Sequence, residues 1–224
     1  MTTILVTGAG APGAPGVIKL LQSEGIHLIV GDSSLISSGR YLNSHFFQLP
    51  LADNPDFIQK LLSICLKNKV DLILPLVTKE LFHLSLNRNL FKDNHIDIIV
   101  SDIDSLKIAN NKLSLYRYLS KRGFPIPTFY SASTIDEIVD YSHLLGYPDE
   151  NVVIKPASSN GSRGVRILSA NHNYYDSLFK EKPSNLFTTL DLFESTYKSF
   201  ELPQLIVSSY LPGEELSIDT LVRE

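Results

Sequence analysis

The chain has 224 residues, of which 43% are hydrophobic and 20% charged, so it is long and apolar enough to bury one large core or two smaller ones. Its formal net charge is −4 and it shows no basic stripe, so we expect no nucleic-acid partner. The sequence has one cysteine, no apolar run near the roughly 18 residues that cross a membrane, and no basic segment before its first strand. These features predict a cytoplasmic protein without membrane contact.

Strand and helix patterns alternate through the first hundred residues. The predicted elements in chain order are strand 4–6, helix 17–25, strand 27–30, helix 57–66, strand 71–74, helix 78–89 and strand 96–100. Strands that alternate with helices of this length are joined by right-handed crossovers into a parallel sheet. We therefore predict an α/β fold with a parallel sheet for this part of the chain.

The pattern changes after Val100. The predicted elements are helix 104–123, extended segment 126–130, helix 135–145, strands 152–156 and 165–168, two helices within 174–200 broken near Pro183, and strands 205–208 and 216–221. The strands on either side of the polar loop after Pro156 predict a hairpin. The last strand stands almost at the end of the sequence, so we expect its domain to continue in a longer protein.

The first glycine cluster follows the first strand and opens the first helix. Gly8, Gly10 and Gly13 have the G-x-G-x-x-G spacing of a dinucleotide-binding turn, and Asp32 closes the second strand where a ribose-binding acid would stand. The same glycines also suit a turn that only packs the helix against the sheet. An NAD-dependent oxidoreductase is therefore one open hypothesis, although nothing downstream is typical of a hydride-transfer site.

A second cluster is more specific. An apolar strand ends in Lys155 and Pro156, and a loop rich in glycine and serine, residues 158–164, leads into the next strand. Such a loop exposes many backbone N–H groups that can fold over phosphates, and a lysine at the strand end supplies a point charge to the same phosphates. An exposed hairpin with a lysine there by chance is the alternative.

This motif and its surroundings resemble the ATP-grasp superfamily, in particular the N-terminal portion of its carbamoyl-phosphate-synthase-like members. The resemblance implies a Rossmann-like pre-ATP-grasp domain over residues 1–102 and an incomplete α+β ATP-grasp domain after it. Within the second domain it implies an N-terminal subdomain over 103–200 and the start of a C-terminal subdomain over 201–224.

The resemblance also assigns roles to individual residues. Lys112, after Asn110 and Asn111, resembles the first phosphate-contacting lysine of the family and Lys155 the second. At the end of strand 205–208, backbone groups of Ser209 and Leu211 would read the adenine edge, Tyr210 would lie beside the base, and Glu215 would accept the ribose hydroxyls. The full predicted nucleotide-binding set is Lys112, Lys155, Ser158, Ser159, Gly161, Ser162, Gly164, Ser209, Tyr210, Leu211 and Glu215.

The activity implied is that of an ATP-dependent carboxylate–amine ligase. Such an enzyme phosphorylates a small-molecule carboxylate to an acyl phosphate, which an amine or similar nucleophile then attacks. The family's magnesium-binding carboxylates and catalytic arginine lie beyond Glu224, so we expect ATP binding here, Mg²⁺ only in a full-length protein and no turnover by these 224 residues alone. Ser208 stands where the family often has a glutamate. A non-catalytic nucleotide-binding module is the alternative, and a homodimer is left open as the assembly.

Overall fold

The computed structural model describes residues 2–159, 161–180, 182, 184–216 and 218. The chain divides into two compact units, Met1–Lys107 and Ile108–Glu224. Each unit is built around a five-stranded sheet. None of the helices in the described ranges is long and apolar enough to cross a membrane.

The first unit is a parallel α/β sandwich, as predicted. Its elements in chain order are β1 (Thr3–Thr7), α1 (Ala14–Ser23), β2 (His27–Asp32), α2 (Ser38–Leu42), β3 (Phe46–Gln48), α3 (Phe57–Asn68), β4 (Leu72–Pro75), α4 (Thr78–Leu86), α5 (Arg88–Lys92) and β5 (Asp97–Ile98). The strand order is β3-β2-β1-β4-β5, with every neighbouring pair parallel. Every residue of β1 is buried, since it lies at the centre of a sheet covered on both faces.

Two apolar cores lie on opposite faces of this sheet. Leu5, Ile29 and Ile73 pack with α3 on one face, and Ile4 and Val30 pack with α1 on the other. The carboxyl ends of β1, β2 and β4 therefore meet at one edge, where the loops that follow them come together.

The second unit is a mixed sheet with helices. Its elements are α7 (Lys112–Lys121), β6 (Phe129–Ala132), α8 (Ile135–Leu144), β7 (Val152–Pro156), β8 (Arg166–Leu168), α9 (Tyr174–Phe179), β9 (Phe187–Thr188), α10 (Leu190–Tyr197) and β10 (Leu205–Ser209), while α6 (Ile103–Ala109) contains the division between the units. The strand order is β6-β10-β7-β8-β9. Strand β10 is antiparallel to both of its neighbours, and β7 and β8 form the predicted hairpin.

Because side chains alternate along each strand, the two faces of this sheet contact different helices. Val152 and Ile154 point into an apolar core with α8 and α10, together with Leu205 and Val207. Lys155 pairs with Ile206 of β10 and so lies on the opposite face. That opposite face, against which Leu113 of α7 packs, carries the candidate site.

The prediction of a single helix over 104–123 is wrong. The structure ends α6 at Ala109 and begins α7 at Lys112, because Asn111 takes an extended conformation and its side chain accepts a hydrogen bond from the backbone N–H of Ser114. An asparagine that caps a helix in this way cannot also continue one from the preceding turn.

Several element boundaries also differ from the prediction. Strand β6 covers 129–132 instead of 126–130, β5 is shorter than 96–100, and the predicted helix 78–89 is split into α4 and α5. The short elements α2 and β3 have too few residues to show a period and were not predicted. The two helices within 174–200 are confirmed, with β9 between them. The predicted strand 216–221 lies largely outside the described residues.

Candidate functional site

The glycine–serine loop after β7 begins against the N-terminus of α7. The backbone N–H of Lys112 donates to the carbonyl of Ala157 at 2.8 Å. The Asn111 side chain adds a contact, since its Nδ2 donates to Ser158 Oγ at 3.2 Å. The asparagine that breaks the helix thus also fixes the first residues of the loop beside the first predicted phosphate-binding lysine.

The Lys112 ammonium lies on the loop itself. Its Nζ donates to the carbonyl of Ser159 at 2.7 Å and to the Ser159 hydroxyl at 3.2 Å. Burial lowers the pKa of Lys112, and the nearby charge of Lys155 lowers it further. The two predicted phosphate-binding lysines are therefore close enough for their charges to interact, as two ligands of one polyphosphate would be.

Lys155 reaches back toward α7. Its Nζ donates to the Tyr116 hydroxyl at 2.7 Å and lies 4.8 Å from the centre of the tyrosine ring. Tyr116 belongs to none of the sequence motifs, so this contact was not predicted. The available signal was its position four residues after Lys112, which places both side chains on one face of the same helix.

The far part of the loop turns back toward the strand. Gly161, Ser162 and Gly164 all have positive φ, and Gly164 lies so close to Pro156 that a Cβ there would stand 2.7 Å from the proline Cγ. Glycine at 164 therefore lets the loop fold over the end of β7. This brings the end of the loop back to Pro156, the residue that follows Lys155 in β7.

The predicted nucleoside-binding residues lie at and after the end of β10. Ser208 is buried on the same sheet face as Lys155, opposite Val153. The backbone N–H groups of Ser209 and Tyr210 donate to the carbonyls of Thr128 and Asn151, at 2.9 and 3.3 Å. These two groups are thus engaged within the sheet.

Leu211 and Glu215 follow in an exposed, irregular segment. An exposed carboxylate after the strand end suits the predicted contact with ribose hydroxyls, and that role stays a prediction. Among the described residues, no group of three or more His, Cys, Asp or Glu could hold a metal ion.

The first unit has a separate pocket at the carboxyl edge of its sheet. The cavity has a volume of about 330 Å³ and is lined by Gly8, Gly10, Ala11, Asp32, Ser33, Ser34, Ile36, Ser37, Val77 and Glu80. Two of these residues are carboxylates, and none is a lysine, arginine or histidine. Ser37 Oγ is a buried hydroxyl that finds no hydrogen-bond partner in the described part of the chain.

Electrostatics make this pocket a poor place for a pyrophosphate. The backbone N–H of Gly10, which a dinucleotide turn would offer to the ligand, instead donates to Asp32 Oδ2 at 2.7 Å. Glu80 accepts a hydrogen bond from the Thr7 hydroxyl. Burial raises the pKa of Glu80 to about 7, with a further upward contribution from the charge of Asp32. The geometry therefore favours the packing interpretation of the glycine turn over the NAD hypothesis.

Comparison with known families agrees with this arrangement. Residues 4–104 match the family described as "PylC-like, N-terminal domain", and residues 109–224 match the family described as "ATP-grasp domain". The chain belongs to the ATP-grasp family. The resemblance seen in the sequence is confirmed, and the ATP-grasp match begins three residues before Lys112 and includes Lys155 and the loop. The domain boundaries at 102 and 200 stay predictions.

Individual relatives are distant. The carbamoyl phosphate synthase large chain of Pyrococcus furiosus is 22% identical over 203 residues, which cover 88% of this chain and 17% of that protein. The corresponding chain of Thermomicrobium roseum is 23% identical over 126 residues, or 56% of this chain and 10% of that protein. The chain thus spans a small part of the curated relatives that it matches.

Solved structures share the fold at low identity. N5-carboxyaminoimidazole synthetase from Staphylococcus aureus, complexed with ADP, has a TM-score of 0.59 at 18% identity, with coverage of 94% of this chain and 47% of that one. L-amino acid ligase from Bacillus licheniformis has a TM-score of 0.60 at 12% identity, with coverage of 95% and 45%. The α/β fold with a parallel N-terminal sheet followed by an ATP-grasp domain is therefore confirmed.

Proposed function

We propose that this chain is the ATP-binding portion of a ligase that activates a small-molecule carboxylate as an acyl phosphate for attack by an amine or similar nucleophile. The observation that carries the proposal is that Lys112 Nζ donates to Ser159 of the glycine–serine loop, while Lys155 Nζ, which donates to Tyr116 of the same helix, lies near enough for its charge to lower the pKa of Lys112. The family supports a carboxylate-activating ligase in general, and the substrates are part of the proposal.

Each part of the site has a distinct task. Lys112 and Lys155 neutralise charge on the phosphates, and the N–H groups of residues 158–164 close over them and exclude water. Ser209, Leu211 and Glu215 hold the nucleoside, with Tyr210 beside the base. Mg²⁺, if bound, would supply further positive charge to the phosphates, and the described residues contain no group of three or more His, Cys, Asp or Glu that would hold it.

The pocket of the first unit suits the nucleophile better than the carboxylate. Asp32 supplies negative charge, Glu80 adds to it as the pH rises through its raised pKa of about 7, and the pocket lining carries no cationic side chain. An anionic substrate there would face the like charge of Asp32, whereas an ammonium group would be attracted to Asp32 and could also accept the ionised form of Glu80 as a partner. The polar and acidic lining therefore supports an amine as the attacking group.

A phosphate series tests this proposal. The affinities of ADP, AMP and adenosine are measured by displacement of a fluorescent adenine nucleotide from the purified chain. We expect ADP to bind more tightly than AMP, and AMP more tightly than adenosine, because each phosphate adds contacts to the two lysines. Lys112→Met with Lys155→Met should remove this order while adenosine affinity stays the same. Equal affinities for all three ligands in the wild type would refute the phosphate site.

A non-catalytic nucleotide-binding module would show the same binding order. Turnover separates the two functions, since only a ligase releases ADP when a carboxylate and an amine are supplied together with ATP.

A further inference from the structure

We propose that Tyr116 is the positioning residue for Lys155, and that it holds the lysine ready for phosphate before the nucleotide arrives. This inference rests on the proposed function, because it concerns the same phosphate site. It begins from the fact that a lysine side chain is flexible and loses up to about 2 kcal/mol of conformational entropy when it is fixed in one geometry. A residue that fixes Lys155 in advance removes that cost from nucleotide binding.

Tyr116 contacts Lys155 in two ways at once. Its hydroxyl accepts a hydrogen bond from Nζ at 2.7 Å, and its ring lies 4.8 Å from the same nitrogen. The hydrogen bond fixes the position of the ammonium, and the ring face attracts its charge. Together these contacts hold the Lys155 ammonium against α7, on the sheet face that strand pairing gives its side chain.

Tyr116 is itself held in place. It packs against an apolar cluster of Leu113, Ala157 and Ile206, and its ring meets the Phe129 ring edge to face at 5.1 Å between centroids. Because its neighbours fix Tyr116, the contacts of Tyr116 with Lys155 also restrict the conformation of the flexible lysine side chain. Since Lys112 lies one turn earlier on the same helix, α7 carries one phosphate-binding lysine and the group that orders the other.

The chemical nature of Tyr116 also determines how much of the Lys155 charge is available to a ligand. A tyrosine hydroxyl is neutral, so it orders the ammonium without cancelling its charge. A carboxylate in the same position would form an ion pair that phosphate must break. Among the described residues, the two recorded ion pairs join Lys107 to Asp104 and Lys180 to Asp176, and neither includes a site lysine. The positive charge of Lys155 is thus left for the ligand.

The test is a double-mutant cycle with ADP and adenosine as ligands. Tyr116→Phe removes the hydroxyl and keeps the ring that packs against Phe129. We expect ADP affinity to fall by about 3- to 10-fold, while adenosine affinity stays within about twofold of the wild type. In a Lys155→Met background the same substitution should cause no further loss of ADP affinity, because its target is already absent.

Tyr118→Phe is the matched control. Tyr118 lies on the same helix, and Cζ of Arg122 lies 3.7 Å from the centre of its ring. This variant therefore removes a hydroxyl from α7 at a position away from Lys155. Its ADP affinity should equal that of the wild type. Wild-type ADP affinity in Tyr116→Phe, or an equal loss in the presence and absence of Lys155, would overturn the positioning role.

A ligand-free measurement distinguishes failure of this inference from failure of the proposed function. The NMR signal of ¹³C-methylated Lys155, assigned through Lys155→Met, should shift in Tyr116→Phe and stay unchanged in Tyr118→Phe. An unchanged signal in Tyr116→Phe would overturn the contact itself. Absence of ADP binding by the wild type would instead reject the proposed function, even if the signal shifts.

Discussion

Both lysines of the candidate site donate to neutral oxygen atoms. Lys112 donates to the carbonyl and hydroxyl of Ser159, and Lys155 donates to the hydroxyl of Tyr116. These contacts satisfy the ammonium groups without neutralising them. A phosphate that enters the site therefore exchanges weak neutral acceptors for charged oxygens, which form stronger hydrogen bonds.

Removal of the Lys155 side chain should weaken nucleotide binding and leave the fold intact. In Lys155→Ala we expect a loss of roughly 1.5–3 kcal/mol in ADP binding, about ten- to a hundredfold in affinity, and no comparable loss for adenosine. Calorimetric titration gives both values. Lys121→Ala, at the exposed end of α7, is the control. A collapse of the ligand-free melting temperature in Lys155→Ala would show a structural role instead.

Glu80 should make the stability of the protein depend on pH. Its pKa is raised from 4.5 to about 7 in the folded state, so the folded protein holds a proton that the unfolded chain releases between these values. The stabilisation is fully present below pH 4.5 and is lost as the pH rises through about 7. We expect the wild type to lose about 2–3 kcal/mol of unfolding free energy over this interval.

Glu80→Gln should remove most of that decrease, because glutamine keeps a side-chain oxygen for Thr7 and has no proton to release. Urea unfolding at pH 5 and pH 8 measures the difference, with the exposed Glu24→Gln as the control. A parallel decrease in Glu80→Gln and the wild type would show that another group is responsible.

At the scale of elements, the fold of the loop after β7 depends on Gly164. Its φ is +78°, and a Cβ would stand 2.7 Å from Cγ and 3.0 Å from Cδ of Pro156, whose ring cannot turn away. We expect Gly164→Ala to destabilise the protein by about 2–3 kcal/mol, since strain of the left-handed backbone and steric overlap add together.

Gly161→Ala distinguishes the cost of backbone strain from the cost of steric overlap. Gly161 has a φ of +61°, but the nearest atom to a Cβ there is Arg163 Nη1 at 3.9 Å. This variant should therefore show only the backbone cost, about 1 kcal/mol. The free energy of unfolding in urea measures both variants, and equal values would contradict the close approach between the loop and Pro156.

Elements with strong local signals were predictable from the sequence. The β7–β8 hairpin follows from apolar runs around a polar loop, and the start of α8 follows from Thr134, which forms a capping box with Glu137. The break before α7 was missed because Asn111 was interpreted as part of a helix. Its capping role appears only when the loop after β7 comes to meet it.

The same reason explains which site residues were missed. Lys112 and Lys155 were predicted from motif positions, whereas the contact of Tyr116 with Lys155 depends on the sheet that brings Lys155 against α7. Contacts between residues far apart in sequence depend on packing, which no local pattern encodes. Glu80 and Ser37 were missed in the same way, since each is an ordinary residue until its burial is known.

At the scale of the whole molecule, the two units carry sites of opposite charge. The pocket of the first unit has two carboxylates, and the loop site of the second has two ammonium groups. We therefore expect an anionic nucleotide to be attracted to the second site and repelled by the first. The charges of the two sites favour the ATP-binding proposal over the NAD hypothesis. The NAD hypothesis would place the phosphates on the glycine turn beside Asp32.

A crystal structure of the chain with ADP tests the central claim most directly. We expect the diphosphate oxygens to lie within hydrogen-bonding distance, about 3 Å, of both Lys112 Nζ and Lys155 Nζ, with residues 158–164 closed over them and the adenine beside the end of β10. ADP bound at the turn of Gly8 and Gly10, or phosphates that contact neither lysine, would contradict the account.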